Sequence, residues 1–207
     1  KKECGNKPYL LIADSLAVKE GETASPTIQP DYREIGRRLG EQLKTKKQKI
    51  GIIADWKMSE AVQAEISGLT EALEGSGSEI SWCIYRRKEQ NITERMKEET
   101  KADALVILDP GVLEEFGEQA EHGKYKGAEL YGVGYSLKTV ALLDKGNIQG
   151  LVVPDGYEIG YKSVKEIAEK IEHKFYKMKG YTTEYQIFSK KDFSMDDDLE
   201  RFLYSYE

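Results

Sequence analysis

The stretch 129–161 leaves few folds open to the chain. Leu130-Tyr131-Gly132-Val133 is an apolar run too short for a helix, and Gly134 closes it. Ser136 stands where an N-cap belongs, with Leu137, Val140, Ala141 and Leu143 on one helical face behind it. Gly146 ends that helix, 151–153 reads as a second buried strand, and Pro154-Asp155-Gly156 as a turn. Two strands joined by a helix form a βαβ unit, and such units take ligands beyond the carboxyl ends of their strands. The residues at those ends are Gly134, Tyr135, Ser136, Pro154, Asp155 and Gly156.

The rest of the chain repeats this rhythm. Apolar runs at 49–54, 80–85 and 103–108 read as strands. The helix between the first two carries Met58, Ala61, Val62, Ile66, Leu69 and Leu73 at core spacing. Asp31 with Glu34 makes a capping box, Asn91 opens a capped helix, and Asp109-Pro110 is a cap followed by a first-turn proline. Strands near 50, 80, 105, 131 and 151 therefore predict an α/β fold with a doubly wound, Rossmann-like parallel sheet. Outside it lie a strand at 8–13, a polar linker at 16–26 and a short strand at 27–29. A long helix at 157–177, a strand at 183–189 and a terminal helix at 195–206 capped by Ser194 follow.

Composition bears mainly on what the chain does not do. With 207 residues, 33% of them charged and a net charge of −6, it suits one or two folded domains without a nucleic-acid stripe. The basic run 44–49 reads as a solvated helix end, and Asp196-Asp197-Asp198 as a helix cap. No apolar run approaches the ~20 residues of a membrane span. Cys4 and Cys83 form no CxxC, His122 and His173 have no metal-ligand spacing, and no cofactor motif is present.

Three pieces in order carry a resemblance: 132–136 (GVGYS), 145–148 (KGNI) and 155–161 (DGYEIGY). Together they resemble the C-terminal half of the type I periplasmic binding proteins, the sugar receptors of ABC importers, whose fold LacI-like repressors share. The run 31–40 resembles the family's D-N-x-x-x-G-x-x-x-G, whose small residues would pack that helix on the sheet. The strand at 8–13 resembles the last strand of the N-terminal lobe, with Asp14 and Ser15 at a hinge.

The resemblance implies a binding protein, not an enzyme. It would deliver a small polar, possibly sugar-like solute to a membrane importer or report it to a sensor, from an extracytoplasmic, membrane-anchored position. Residues 1–14 and 155–182 would be remnants of an N-terminal lobe, and 15–154 with 183–207 the C-terminal lobe. Expected solute contacts are Asp14, Ser15, Trp56, Asp109, Tyr135 and Asp155: carboxylates for hydroxyls, aromatics for a ring face. Several family positions differ. Gly134 replaces an aspartate, Pro154 a glutamine and Ala13 an acid, and no arginine stands near Gln63, which argues against an ordinary monosaccharide. Exposed lobe remnants imply a homodimer. An alternative is the effector domain of a LacI-like regulator. An enzyme on a Rossmann sheet lacks GxGxxG, a P-loop and a nucleophile–histidine pair.

Overall fold

A computed structural model describes residues 4–5, 7–12, 25–55, 59–86 and 91–189. The expected helix at 195–206, its Ser194 cap and most of the linker lie outside these residues. The chain starts with β1 (Leu11–Ile12), β2 (Thr27–Pro30), α1 (Tyr32–Leu43), β3 (Lys49–Ala54) and α2 (Glu60–Leu73). Then come β4 (Glu79–Tyr85), α3 (Ile92–Met96), β5 (Ala104–Ile107), α4 (Pro110–Glu118) and β6 (Glu129–Val133). The last elements are α5 (Leu137–Asp144), β7 (Gly150–Pro154), α6 (Gly156–Glu172), β8 (Tyr181–Thr183) and β9 (Tyr185–Ser189). They divide into a smaller unit, 1–31 with 155–184, and a larger one, 32–154 with 185–207.

In the larger unit the sheet order is β4-β3-β5-β6-β7-β9. The five strands expected from sequence run parallel, and β9 is added antiparallel to β7. Strand alternation sends Leu105 and Ile107 to one face, where Leu113, Phe116 and Leu143 of α4 and α5 cover them. Ala104 and Val106 go to the other face, with Ile35, Leu39 and Leu69 of α1 and α2. Helices on both faces make the sheet doubly wound.

Gly36 and Gly40 do not serve the helix–sheet contact expected of them. A side chain on Gly36 would strike the backbone of Glu65, one on Gly40 the Ala72 side chain, and one on Gly68 the Arg33 backbone. These glycines let α1 and α2 cross with backbones touching. The branched residues Ile35, Leu39 and Leu43 join the sheet's apolar cluster instead.

The smaller unit is a three-stranded parallel sheet, β1-β2-β8, with α6. Residues 25–31 and 183–184 belong here, not with 32–154 as expected, because β2 pairs with both β1 and β8. The single strand expected at 183–189 is two strands in two sheets, parted at Glu184. The expected strand at 8–13 shortens to Leu11–Ile12, and α6 ends at Glu172.

Polar groups hold this unit. The buried Glu166 carboxylate on α6 accepts from Tyr176 Oη at 2.9 Å, Tyr181 Oη at 2.8 Å and the Lys179 backbone N–H at 2.7 Å. Burial pushes Glu166 up, but these donors outweigh it and hold the carboxyl below its ordinary value. Ile28 is the one buried hydrophobic residue among those described in this unit. Along α6, Tyr157, Tyr161, Val164, Ala168 and Ile171 fall on one exposed stripe that Phe175 extends.

Candidate functional site

The carboxyl ends of the central strands gather the polar side chains of the larger unit. Asp55 follows β3, Arg86 follows β4, Asp109 follows β5, and Gly134, Tyr135 and Ser136 follow β6. Asp109 is buried and fully engaged. Its Oδ1 accepts the Gly111 and Val112 backbone N–H groups at 2.9 and 3.1 Å, capping α4, and its Oδ2 accepts from Arg86 Nη1 at 2.7 Å. Asp109 thus caps α4, as its place before Pro110 predicts, and its second oxygen positions Arg86.

Arg86 is the residue that sequence reasoning missed. Its backbone N–H donates to Ala54 O at 2.8 Å, which fixes where the side chain leaves the sheet. The hydrogen bond and charge of Asp109 push Arg86 up, with Asp55 and Glu115 adding to the field. The side chain is 53% exposed, so a guanidinium anchored through one nitrogen turns its remaining donors outward. The available signal was an arginine directly behind a buried strand, one β-strand away from a capping aspartate.

Tyr135 is 63% exposed and projects beyond β6. Ser136 caps α5 as expected, accepting from Thr139 N at 3.1 Å, and it also donates to Glu114. Its hydroxyl therefore ties α5 to α4 and is not a free nucleophile. A side chain on Gly134 would come within 2.9 Å of Thr139 Cγ2 and Oγ1, so any larger residue here would have to displace the Thr139 side chain. Asp155 belongs to the smaller unit and caps α6, its Oδ1 accepting from Glu158 N at 2.8 Å. Asp14, Ser15 and Trp56 lie outside the described residues.

The assembled face thus holds Arg86, Asp109 and Tyr135 of the expected and missed residues. It presents the directed cationic donors of Arg86, the exposed carboxylate of Asp55 and one exposed aromatic, a set that binds hydroxyl or anionic groups. Among the described residues, no group of three or more His, Cys, Asp or Glu is placed to hold a metal ion.

No protein-family model matches the chain, and no curated protein sequence matches it. Solved structures do. One is a carbohydrate-transporter solute-binding protein from Agrobacterium radiobacter in complex with D-arabinose. It is 19% identical with a TM-score of 0.75, the match covering 94% of this chain and 70% of that one. The Caulobacter myo-inositol binding protein, bound to myo-inositol, is 16% identical with a TM-score of 0.72, over 92% of this chain and 68% of that one. A LacI putative transcriptional regulator from Bacillus cereus subsp. cytotoxis is 14% identical with a TM-score of 0.65, over 87% and 67%. The chain has the periplasmic-binding-protein type I fold that these structures share.

Proposed function

We propose that the chain is the solute-binding part of a type I receptor and binds a small polar, sugar-like molecule without transforming it. The observation that carries this reading is Arg86, anchored by the buried Asp109 at the carboxyl ends of a sheet whose fold is that of sugar-binding receptors. An arginine whose position is fixed before binding loses little entropy on meeting hydroxyls, and Tyr135, exposed beyond β6 on the same edge of strand ends, offers a ring face. The larger unit corresponds to the C-terminal lobe. The smaller unit is part of an N-terminal lobe, a reading supported by the exposed stripe on α6. The receptor works outside the cytoplasmic membrane, anchored to it, and passes its solute to an importer or sensor.

Calorimetry with pentoses, hexoses, inositols and nucleosides tests this. At least one polyol gives a saturable heat, and Arg86→Ala weakens it by about tenfold or more, the worth of a charged hydrogen bond. Saturable binding that Arg86→Ala and Tyr135→Ala both leave intact, or no binding by any polyol, removes the reading. A second reading, the effector domain of a LacI-like regulator, is favoured by the regulator among the structural neighbours. Fractionating the source cells separates the two: a receptor is recovered outside the cytoplasm, a regulator within it.

A further inference from the structure

A recess of about 240 Å³ opens in the larger unit toward the amino ends of β5 and β6, away from Arg86 and Asp109. Its origin is a defect in the roof. Elsewhere on this face α4 and α5 cover the sheet, but here the cover is α3, five residues long with none of them buried. The floor is aromatic. Between β3 and β4 the register slips by one residue, Ile80 facing Ile50 and Trp82 facing Gly51, so Ser81 forms a bulge. The bulge turns Trp82 to the face opposite Ile80, where the indole lies over the bare Gly51. Trp82 Nε1 donates to Thr100 O at 2.8 Å, and Tyr125 stacks on Phe116 with ring centroids 4.0 Å apart. Both rings are therefore fixed before any ligand arrives.

The rim is cationic. Lys97, Lys101 and Lys126 line it against one carboxylate, Glu99, although the chain as a whole carries −6. Lys97 pairs with Glu94 at 2.7 Å and Lys126 stands 5.3 Å over the Tyr125 ring, while Lys101 has no ion pair among the described residues. One polar feature lies deeper. Thr93 Oγ1 and Tyr125 Oη are 3.3 Å apart and bond to each other. Two hydroxyls own two protons, and one bond between them uses only one. The second proton has no other acceptor among the described residues.

We infer that this recess is a second binding site, for a small monocyclic aromatic carboxylate. The ring lies against Trp82, Met96 and Tyr125, and the carboxylate accepts from the hydroxyl pair and meets the lysine rim. Size agrees: an apolar cavity of about 150 Å³ holds benzene, and this one has room for the acid group as well. A sugar suits it poorly, because the walls offer few polar partners for several hydroxyls.

The test is a titration of the ¹⁵N-labelled chain with phenylacetate, read at the Trp82 indole and at the Thr100 and Ala128 amides. The two indole signals are assigned with Trp56→Phe. Saturable shifts with a Kd at or below about 1 mM are expected, the yield of some ten ligand atoms in a partly open site. Lys101→Gln with Lys126→Gln weakens binding about fivefold or more while leaving the unliganded shifts of amides remote from both positions unchanged. Thr93→Val weakens it independently. The inference is overturned by an absence of saturable shifts or by equal binding of neutral 2-phenylethanol. Equal shifts from acetate, or unchanged affinity in the lysine double variant, overturn it as well.

Discussion

The two units solve the same problem by different means. The larger one buries branched side chains on both faces of its sheet, and α1 and α2 meet backbone to backbone. Both bury carboxylates, but in the smaller one Glu166 stands beside a single buried hydrophobic residue among those described, and large apolar side chains lie in solvent, with Val164 at 71% and Phe175 at 93% exposure. Apolar burial is non-directional and survives small shifts, whereas a buried carboxylate is stabilising only while every donor stays in place. The larger unit should therefore answer to volume, and the smaller one to proton concentration and to whatever covers α6.

The largest effect expected is at Gly68. Gly68→Val drives a branched side chain into the Arg33 backbone and should cost about 3 kcal/mol in chemical unfolding. A smaller loss would mean that the α1–α2 crossing relaxes easily. Next is Glu166→Gln, which exchanges charged hydrogen bonds for neutral ones at a cost of about 2 kcal/mol. Hydrogen exchange should place that loss in α6 and β8, with β5 unaffected. The pH dependence has the same source. Because the folded carboxyl sits below its ordinary value, its contribution is present above the ordinary carboxylate range. It is lost as pH falls through the folded value, so α6 should open before β5 during acid titration. Simultaneous opening would break the contrast.

Gly160 sharpens it from the other side. Nothing lies within 4 Å of a side chain placed there, so Gly160→Ala should stabilise α6 by roughly 0.5–1 kcal/mol. The same exchange at Gly68 should destabilise. The apolar stripe predicts self-association, because such patches are normally covered. Sedimentation should show dimers at high concentration, and Val164→Glu with Ile171→Lys should dissolve them while changing stability by less than about 0.5 kcal/mol. A monomer at every concentration, with α6 well protected, would count against any reading of that face as an interface. A further small change is expected for Asp109→Asn. Asparagine still caps α4, so stability falls by less than about 1 kcal/mol, but Arg86 loses its charged partner and polyol binding weakens.

What could be read in the sequence follows the range of the forces involved. Caps such as Ser136, Asp109 and Asn91 act over three residues, and the parallel strands declare themselves as short apolar runs. Both were legible. The break at Glu184 was not, since the strands on either side form one continuous run, and only their partners, Pro30 and Pro154, lie in different sheets. Arg86 stayed hidden because its meaning depends on Asp109, 23 residues away. Gly36 and Gly40 announced a close approach without saying to what, and the partner was a helix. Asp155 read as a turn and a ligand group, and the structure gives it an α6 cap.

The sheet also has two unequal margins. On one side β9 runs antiparallel along β7, while on the other β4 is paired, among the described residues, only with β3. Along this margin the alternate amides and carbonyls of β4 face away from β3, and at its carboxyl end Tyr85 O already accepts from Arg95 Nη1 at 2.6 Å. The half-buried Ile80 and Tyr85 lie on this strand. The Ser81 bulge twists the margin away from flatness, and Glu79 and Arg86 place charge at its two ends. A bulge and end charges disfavour edge-to-edge pairing, so replacing Glu79 and Arg86 with apolar residues should make the protein cloud on warming before its core unfolds.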